Sequence, residues 1–179
     1  LFGYLLGRYN HKNHSVFTTI YNGRSDSRTD RAMGMFVKTL PVTCQLGVPA
    51  SELFTTTKNQ LIDSMDHDIY SFAEISRAFG INAEVMFVYQ GDNFEFDQLA
   101  GQPTEALEVM SEGVIAAISV EVSIREGRYY FRASFESNRY EDSSITALLE
   151  NLARAAEQVL VTDDLEQISL LFDEPRAMV

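Results

Sequence analysis

The sequence predicts an α/β fold of α+β character, a mixed β-sheet with helices packed mainly on one face. Three observations carry that reading. Val114, Ala116, Ile118, Val120, Val122 and Ile124 alternate with a polar set that includes Ser119, Glu121 and Ser123. After Arg125-Glu126-Gly127-Arg128, the residues Tyr129, Phe131, Ala133 and Phe135 alternate again. Period-two patterning on both sides of a short glycine-containing turn marks a β-hairpin. Ile145, Leu148, Leu149, Leu152, Ala156, Val159 and Leu160 form a stripe at helical spacing, with Asp142 or Ser143 placed to cap it. Elsewhere strand-like and helix-like segments alternate along the chain, which favours a mixed sheet.

Each remaining element has its own local cause. Leu1, Phe2, Leu5, Leu6 and Tyr9 space as a helix, which Asn10-His11-Lys12-Asn13 ends. Residues 16–21 (VFTTIY) are β-branched and aromatic and predict a strand. Residues 22–26 predict a loop, and residues 29–33 a short turn of helix. Gly34-Met35-Phe36-Val37-Lys38-Thr39-Leu40-Pro41-Val42 is a near-continuous apolar run, the pattern of a central strand covered on both faces. Pro49 and Ser51 open a helix with Glu52 near its positive end, and Leu53, Phe54, Leu61, Ile62 and Met65 supply its apolar side. Asp66-His67-Asp68 interrupts it. A second helix then runs over residues 71–79 to a stop at Gly80. Residues 85–90 (VMFVYQ) predict a central strand and Gly91-Asp92-Asn93 a turn. Phe94-Glu95-Phe96 predicts an edge strand, and residues 97–112 an excursion loop around Pro103. Residues 165–172 form an apolar tail, and residues 173–179, opening Asp173-Glu174-Pro175-Arg176, predict the start of a linker.

Composition narrows the function classes. A chain of 179 residues with 45% hydrophobic content supports one domain with a substantial core. The formal charge of −12 argues against nucleic acid or an anionic membrane as partner, because neutralising phosphates takes clustered Lys and Arg. No apolar run approaches the roughly 18 residues that suggest a membrane span. The single Cys44 cannot close an internal disulfide, which fits a reducing, cytoplasmic setting. The start, Leu1-Phe2-Gly3-Tyr4, lacks an initiator Met and a basic leader, so a longer parent polypeptide is expected.

Catalytic constellations are scarce. His11 and His14 sit in a polar turn with no third ligand beside them, and no phosphate-binding glycine loop or nucleophile elbow occurs. The Asn22-Gly23-Arg24 loop is either an anion site or an ordinary turn. His67, flanked by Asp66 and Asp68, is either a general acid or base or a helix-terminal histidine beside a capping aspartate. Cys44 has no feature that would lower its pKa. The methionines and phenylalanines are either core or the lining of an apolar pocket. Lys38-Thr39 interrupts an otherwise apolar run and therefore marks either an exposed strand end or the wall of a cleft.

The order of short segments resembles a known family. Residues 16–24, followed by Met33-Gly34-Met35-Phe36-Val37-Lys38-Thr39-Leu40-Pro41-Val42, resemble the C-terminal lobe of nonribosomal peptide synthetase condensation domains. There a strand ending in a Gly-Arg loop precedes a run similar to G-x-F-V-N-T-L-P. Asp66-His67-Asp68 through Phe72 and Ile75 is similar to that family's His/Asn-Gln-Asp segment, and Val85-Met86-Phe87-Val88-Tyr89-Gln90 to its V-M-F-x-x-Q strand. Lys38 stands where the family usually has Asn, and His67-Asp68 lacks the intervening Gln.

The resemblance implies one lobe of a chloramphenicol-acetyltransferase-like fold over residues 1–172, whose partner is the N-terminal lobe of the same domain. Other implied partners are peptidyl carrier proteins, which bring aminoacyl or peptidyl groups on phosphopantetheine arms, and an adjacent adenylation domain. No cofactor or metal is expected on the chain itself. The family's catalytic His-His-x-x-x-Asp-Gly motif belongs to the other lobe, so the fragment is expected to be inactive alone. Gly34, Phe36, Lys38, Thr39 and Gln90 are expected to line the substrate tunnel without transferring protons, with His67 and Asp68 structural or acid-base. Rival readings are an epimerisation-domain lobe, a non-catalytic module that docks a carrier protein, and a free acyltransferase using His67.

Overall fold

Apolar faces that cannot stand in water drive each element onto its neighbour. The computed structural model describes residues 1–24, 27–29, 31–82, 84–92, 98–99, 102–103 and 116–171. Helix α1 (Phe2–Tyr9) buries Phe2, Tyr4, Leu5 and Leu6. It lies so close to the sheet that a Cβ on Gly3 would stand 2.6 Å from the Cβ of Cys44. Strands β1 (His14–Tyr21), β2 (Lys38–Gln45), β3 (Val85–Gly91), β6 (Ile118–Arg125) and β7 (Arg128–Phe135) form one sheet in the order β2-β1-β3-β6-β7. The β1–β3 and β3–β6 pairs are parallel, whereas β1–β2 and β6–β7 are antiparallel. Two-residue strands β4 (Gln98–Leu99) and β5 (Gln102–Pro103) pair with each other inside the stretch expected to be loop. Helices α2 (Ala50–Asp66), α3 (Phe72–Phe79) and α4 (Asp142–Gln158) complete the set. The side of the sheet carrying Phe17, Val42, Phe87, Val122 and Phe131 faces α1, α2 and α4. The expected mixed sheet with helices mainly on one face is therefore present.

The hairpin turn places Glu126 and Gly127 at φ 49° and 71°, the pair of left-handed residues that suits a two-residue connection. Helix α3 opens on a capping box: the Glu74 N–H donates to Ser71 Oγ, and the Glu74 carboxylate accepts from the Ser71 N–H at 2.9 Å. Helix α4 docks through Ile145, Leu148, Leu152 and Ala155, each buried isoleucine or leucine stabilising by about 1.5–3 kcal/mol and the alanine by less.

Several expectations need correction. The apolar run at 34–42 is not one strand: β2 starts at Lys38, continues through Pro41 to Gln45, and lies at the sheet edge rather than its centre. Leu40, Val42 and Cys44 are buried while Thr43 and Gln45 are exposed, the alternation of a strand with one covered face. Pro41 is tolerated because an edge strand has one row of amides outside the ladder. The Gln60 side chain satisfies part of that row, accepting from the Thr43 N–H at 3.1 Å and donating to Thr43 Oγ1 at 2.6 Å. The helical turn expected at 29–33 is a 3-10 turn at Ser27–Thr29. The N-cap of α4 is Glu141, with no side-chain cap bond, rather than Asp142 or Ser143. On the stripe of α4, Ala156 and Leu160 are exposed, and Asn151 is fully buried instead. The strand expected at 94–96, the start of β6 at Val114 and the linker at 173–179 lie outside the described residues.

A strap of chain after α4 closes the lobe. Leu165, Ile168 and Leu170 are buried. Tyr4 Oη donates to the Leu165 carbonyl at 2.8 Å, and the Gln158 amide holds both backbone groups of Ser169 at 2.9 and 3.0 Å. Asn151 donates to Tyr9 Oη at 2.9 Å and accepts from the Leu171 N–H at 2.7 Å, joining α4, α1 and the strap.

Candidate functional site

In open sheets with parallel strands, ligands bind outside the carboxyl ends of those strands. Here β1 and β3 are parallel neighbours ending at Tyr21 and Gly91. Lys38, first residue of β2, pairs with Tyr21, and Thr39 pairs with Ile20. Gln90 is the penultimate residue of β3. Tyr89 pairs with Val122 and Gly91 with Ser123, so Gln90 is the bulged residue between them. The fold thus gathers Lys38, Thr39 and Gln90 at one end of the sheet, although more than 50 positions separate the first from the last. Alternation splits them between faces: Lys38 shares the helix-covered side with Leu40, while Thr39 shares the other side with Ile20, Met86 and Val88. Gly34 and Phe36 precede the strand, in the loop that leads into it. The Phe36 ring lies under the Arg24 guanidinium, with Cζ 4.5 Å from the ring centroid.

Two candidates meet directly. The Lys38 ammonium stands 3.1 Å from Asp68 Oδ1 and also donates to the Asp68 carbonyl oxygen. Asp68 follows the end of α2, so this pair ties the first residue of β2 to the α2–α3 junction. With the two side chains 38% and 20% exposed, its worth is up to about 1 kcal/mol. His67 is the C-cap of α2 and is exposed. Its ring Nδ1 lies 2.8 Å from the Asp63 carbonyl oxygen, a contact that requires the proton on Nδ1 and leaves Nε2 as the acceptor of the neutral ring. His67 and Asp68 border a cleft of about 580 Å³ between α2, α3 and the β2 edge, shared with Asp63, Gln60 and Tyr70. A larger apolar cleft of about 750 Å³ opens between α2 and α4, over Phe17, Phe87 and Phe131.

Other nucleophiles and ligands stand apart. Cys44 is buried against α1, and burial pushes its thiol above the ordinary value. His11 occupies a turn at φ 52°. Among the described residues no three of His, Cys, Asp and Glu converge to hold a metal, and no helix is long and apolar enough to cross a membrane. Sequence reasoning missed the Lys38–Asp68 pairing and the contacts of Arg24. Neither leaves a pattern signal: the first joins residues 30 positions apart, and the second spans 5 to 12 positions of irregular chain without periodicity.

The mixed sheet with helices mainly on one face matches one lobe of the chloramphenicol-acetyltransferase-like fold of solved condensation domains. Residues 1–177 match the family model of the condensation domain, and the chain belongs to that family. It is 23% identical over 190 residues to bacitracin synthase 3 of Bacillus licheniformis, covering 98% of this chain and 3% of that protein. It is likewise 23% identical over 182 residues to a plipastatin synthase polypeptide of Bacillus subtilis strain 168, covering 92% of this chain and 7% of that one. The starter condensation domain of the rhizomide synthetase RzmA superposes with a TM-score of 0.78 at 17% identity, over 94% of this chain and 43% of that one. The chain therefore spans less than half of that solved chain and a small share of each curated relative.

Proposed function

We propose that this chain is one wall of the reaction cleft of a peptide synthetase condensation domain, where an amide bond forms between two carrier-bound groups. The acceptor amine attacks the carbonyl carbon of the donor thioester. The C–N bond forms, the C–S bond breaks, and the sulfur leaves as a thiol that takes up the proton lost by the amine. The match to the condensation-domain family over residues 1–177 carries this reading. Its partners are the N-terminal lobe of the same domain, peptidyl carrier proteins with phosphopantetheine arms, and an adjacent adenylation domain.

In this reading the base lies on the other lobe, and the fragment alone forms no amide. The side chains of this lobe position substrate. Lys38, Thr39 and Gln90, at the carboxyl ends of β1 and β3, line the acceptor side. The Lys38–Asp68 pair fixes the ammonium at the start of β2, where a flexible side chain would otherwise sample many rotamers.

The test is steady-state kinetics of the full-length protein with carrier-bound donor and acceptor. Lys38→Ala should raise the acceptor KM about three- to tenfold with little change in the donor KM. Unchanged acceptor kinetics would put Lys38 on an idle surface. Amide formation by the isolated chain would place the base within it.

A further inference from the structure

The Asn22-Gly23-Arg24 segment, open in the sequence to an anion-binding reading, is spent on something else. It follows β1 directly, and the chain returns through residue 37 to β2, with Tyr21 and Lys38 paired at the neck. Gly23 sits at φ 65°, and a Cβ there would stand 1.9 Å from the carbonyl oxygen of Phe36. Both the left-handed backbone and the close approach require glycine. Asn22 Oδ1 accepts from the Arg24 N–H at 3.1 Å, an Asx turn. The Arg24 guanidinium then reaches into the loop. Its Nη1 donates to the carbonyls of Thr29 and Ala32 (the latter at 3.1 Å), and its Nη2 donates to that of Gly34 at 3.4 Å. Its plane lies over the Phe36 ring. The planar fork of arginine allows several carbonyl contacts and a stack at once, whereas a lysine offers a single point charge. These contacts clasp residues 22–24 to residues 29, 32, 34 and 36 of the connection between β1 and β2.

Lys38 is thus anchored from two directions, by the clasp behind it and by Asp68 ahead of it. We propose that Arg24 is a positioning residue, which fixes the path of the chain into β2 and with it the placement of Lys38 and Thr39 at the carboxyl end of the sheet. The functional consequence rests on the reading of that end as a substrate wall, but the coupling of Arg24 to β2 is measurable without turnover.

The experiment is amide hydrogen exchange on the full-length protein. With Arg24→Ala, amides of residues 31–40 should exchange at least about tenfold faster, while the β6–β7 hairpin is unchanged. Arg24→Lys keeps the charge but loses the fork and the stack, so it should behave like Arg24→Ala. Unchanged exchange at 38–40 in Arg24→Ala, or full rescue by Arg24→Lys, overturns the proposal. If Arg24→Ala fails to fold, Phe36→Leu removes the stack alone and should give a smaller rise over the same residues; no rise overturns the proposal as well. In turnover, Arg24→Ala should raise the acceptor KM alongside Lys38→Ala. A silent Arg24→Ala beside an impaired Lys38→Ala refutes the positioning role. A silent Lys38→Ala refutes the wall reading and leaves the exchange result to decide the clasp.

Discussion

Asn151 is the buried polar hub of the lobe, and its removal has a calculable cost. The residue is fully buried on α4, and its two side-chain bonds reach α1 through Tyr9 and the strap through Leu171. In Asn151→Ala the Leu171 N–H loses its acceptor, at about 1–3 kcal/mol for an unsatisfied buried donor. The void left by the missing atoms adds about 1 kcal/mol. Tyr9 contributes little, since it is 39% exposed and water can replace the lost donor. The sum is about 2–4 kcal/mol, which for a chain of this length lowers Tm by about 5–15 °C. Thermal and urea unfolding followed by circular dichroism would read it. Asn151→Asp offers a second reading, because its oxygens can still accept from Leu171 while a buried carboxylate favours its protonated form. That variant should be more stable in mild acid than at neutral pH. A loss below about 1 kcal/mol for Asn151→Ala, or a parent-like Asn151→Leu, would refute the idea that this amide holds the strap.

Three further outcomes follow from the same geometry. A double-mutant cycle between Lys38→Ala and Asp68→Asn should give a coupling of up to about 1 kcal/mol by urea unfolding, and strict additivity would mean the pair is not formed in solution. The Glu74 carboxyl is held below its ordinary value by hydrogen bonds from Ser71. Its contribution to α3 is therefore present above the unfolded carboxylate value and lost as pH falls through the lower folded one. Protection of the α3 amides, taken relative to their intrinsic exchange rate at each pH, should fall in acid in the parent but not in Glu74→Gln. Cys44, whose thiol burial holds high, should resist alkylation in the folded chain and react on unfolding. Its stabilising preference for the thiol form is full below the unfolded value and lost as pH rises through the folded one, so Cys44→Ala should flatten the alkaline decline in stability.

What could be read from the sequence was what neighbouring residues decide. The β6–β7 hairpin announces itself by alternation and a two-residue turn, and α3 by a short helical run that stops at Gly80. The start of β2 was not legible. Residues 34–37 are as apolar as a strand, and what holds them as loop is Arg24 and Gly23, ten or more positions away. Asn151 falls outside the apolar stripe read for α4, and the Leu171 amide that gives it a reason to be buried lies 20 residues on. The gathering of Lys38, Thr39 and Gln90 at one sheet end depends on strand order, which periodicity does not encode. The faces they occupy depend on where β2 begins.

The central claim is that the carboxyl end of β1 and β3 faces the acceptor group during amide formation. The direct measurement is cross-linking in the full-length protein, using an acceptor analogue that carries a bromoacetyl group on a carrier-bound phosphopantetheine arm. Thr39→Cys and Gln90→Cys should each capture the analogue, while Gln45→Cys, exposed at the opposite end of the sheet, should not. Capture at Gln45 with none at Thr39 or Gln90 would place the acceptor elsewhere and contradict the claim.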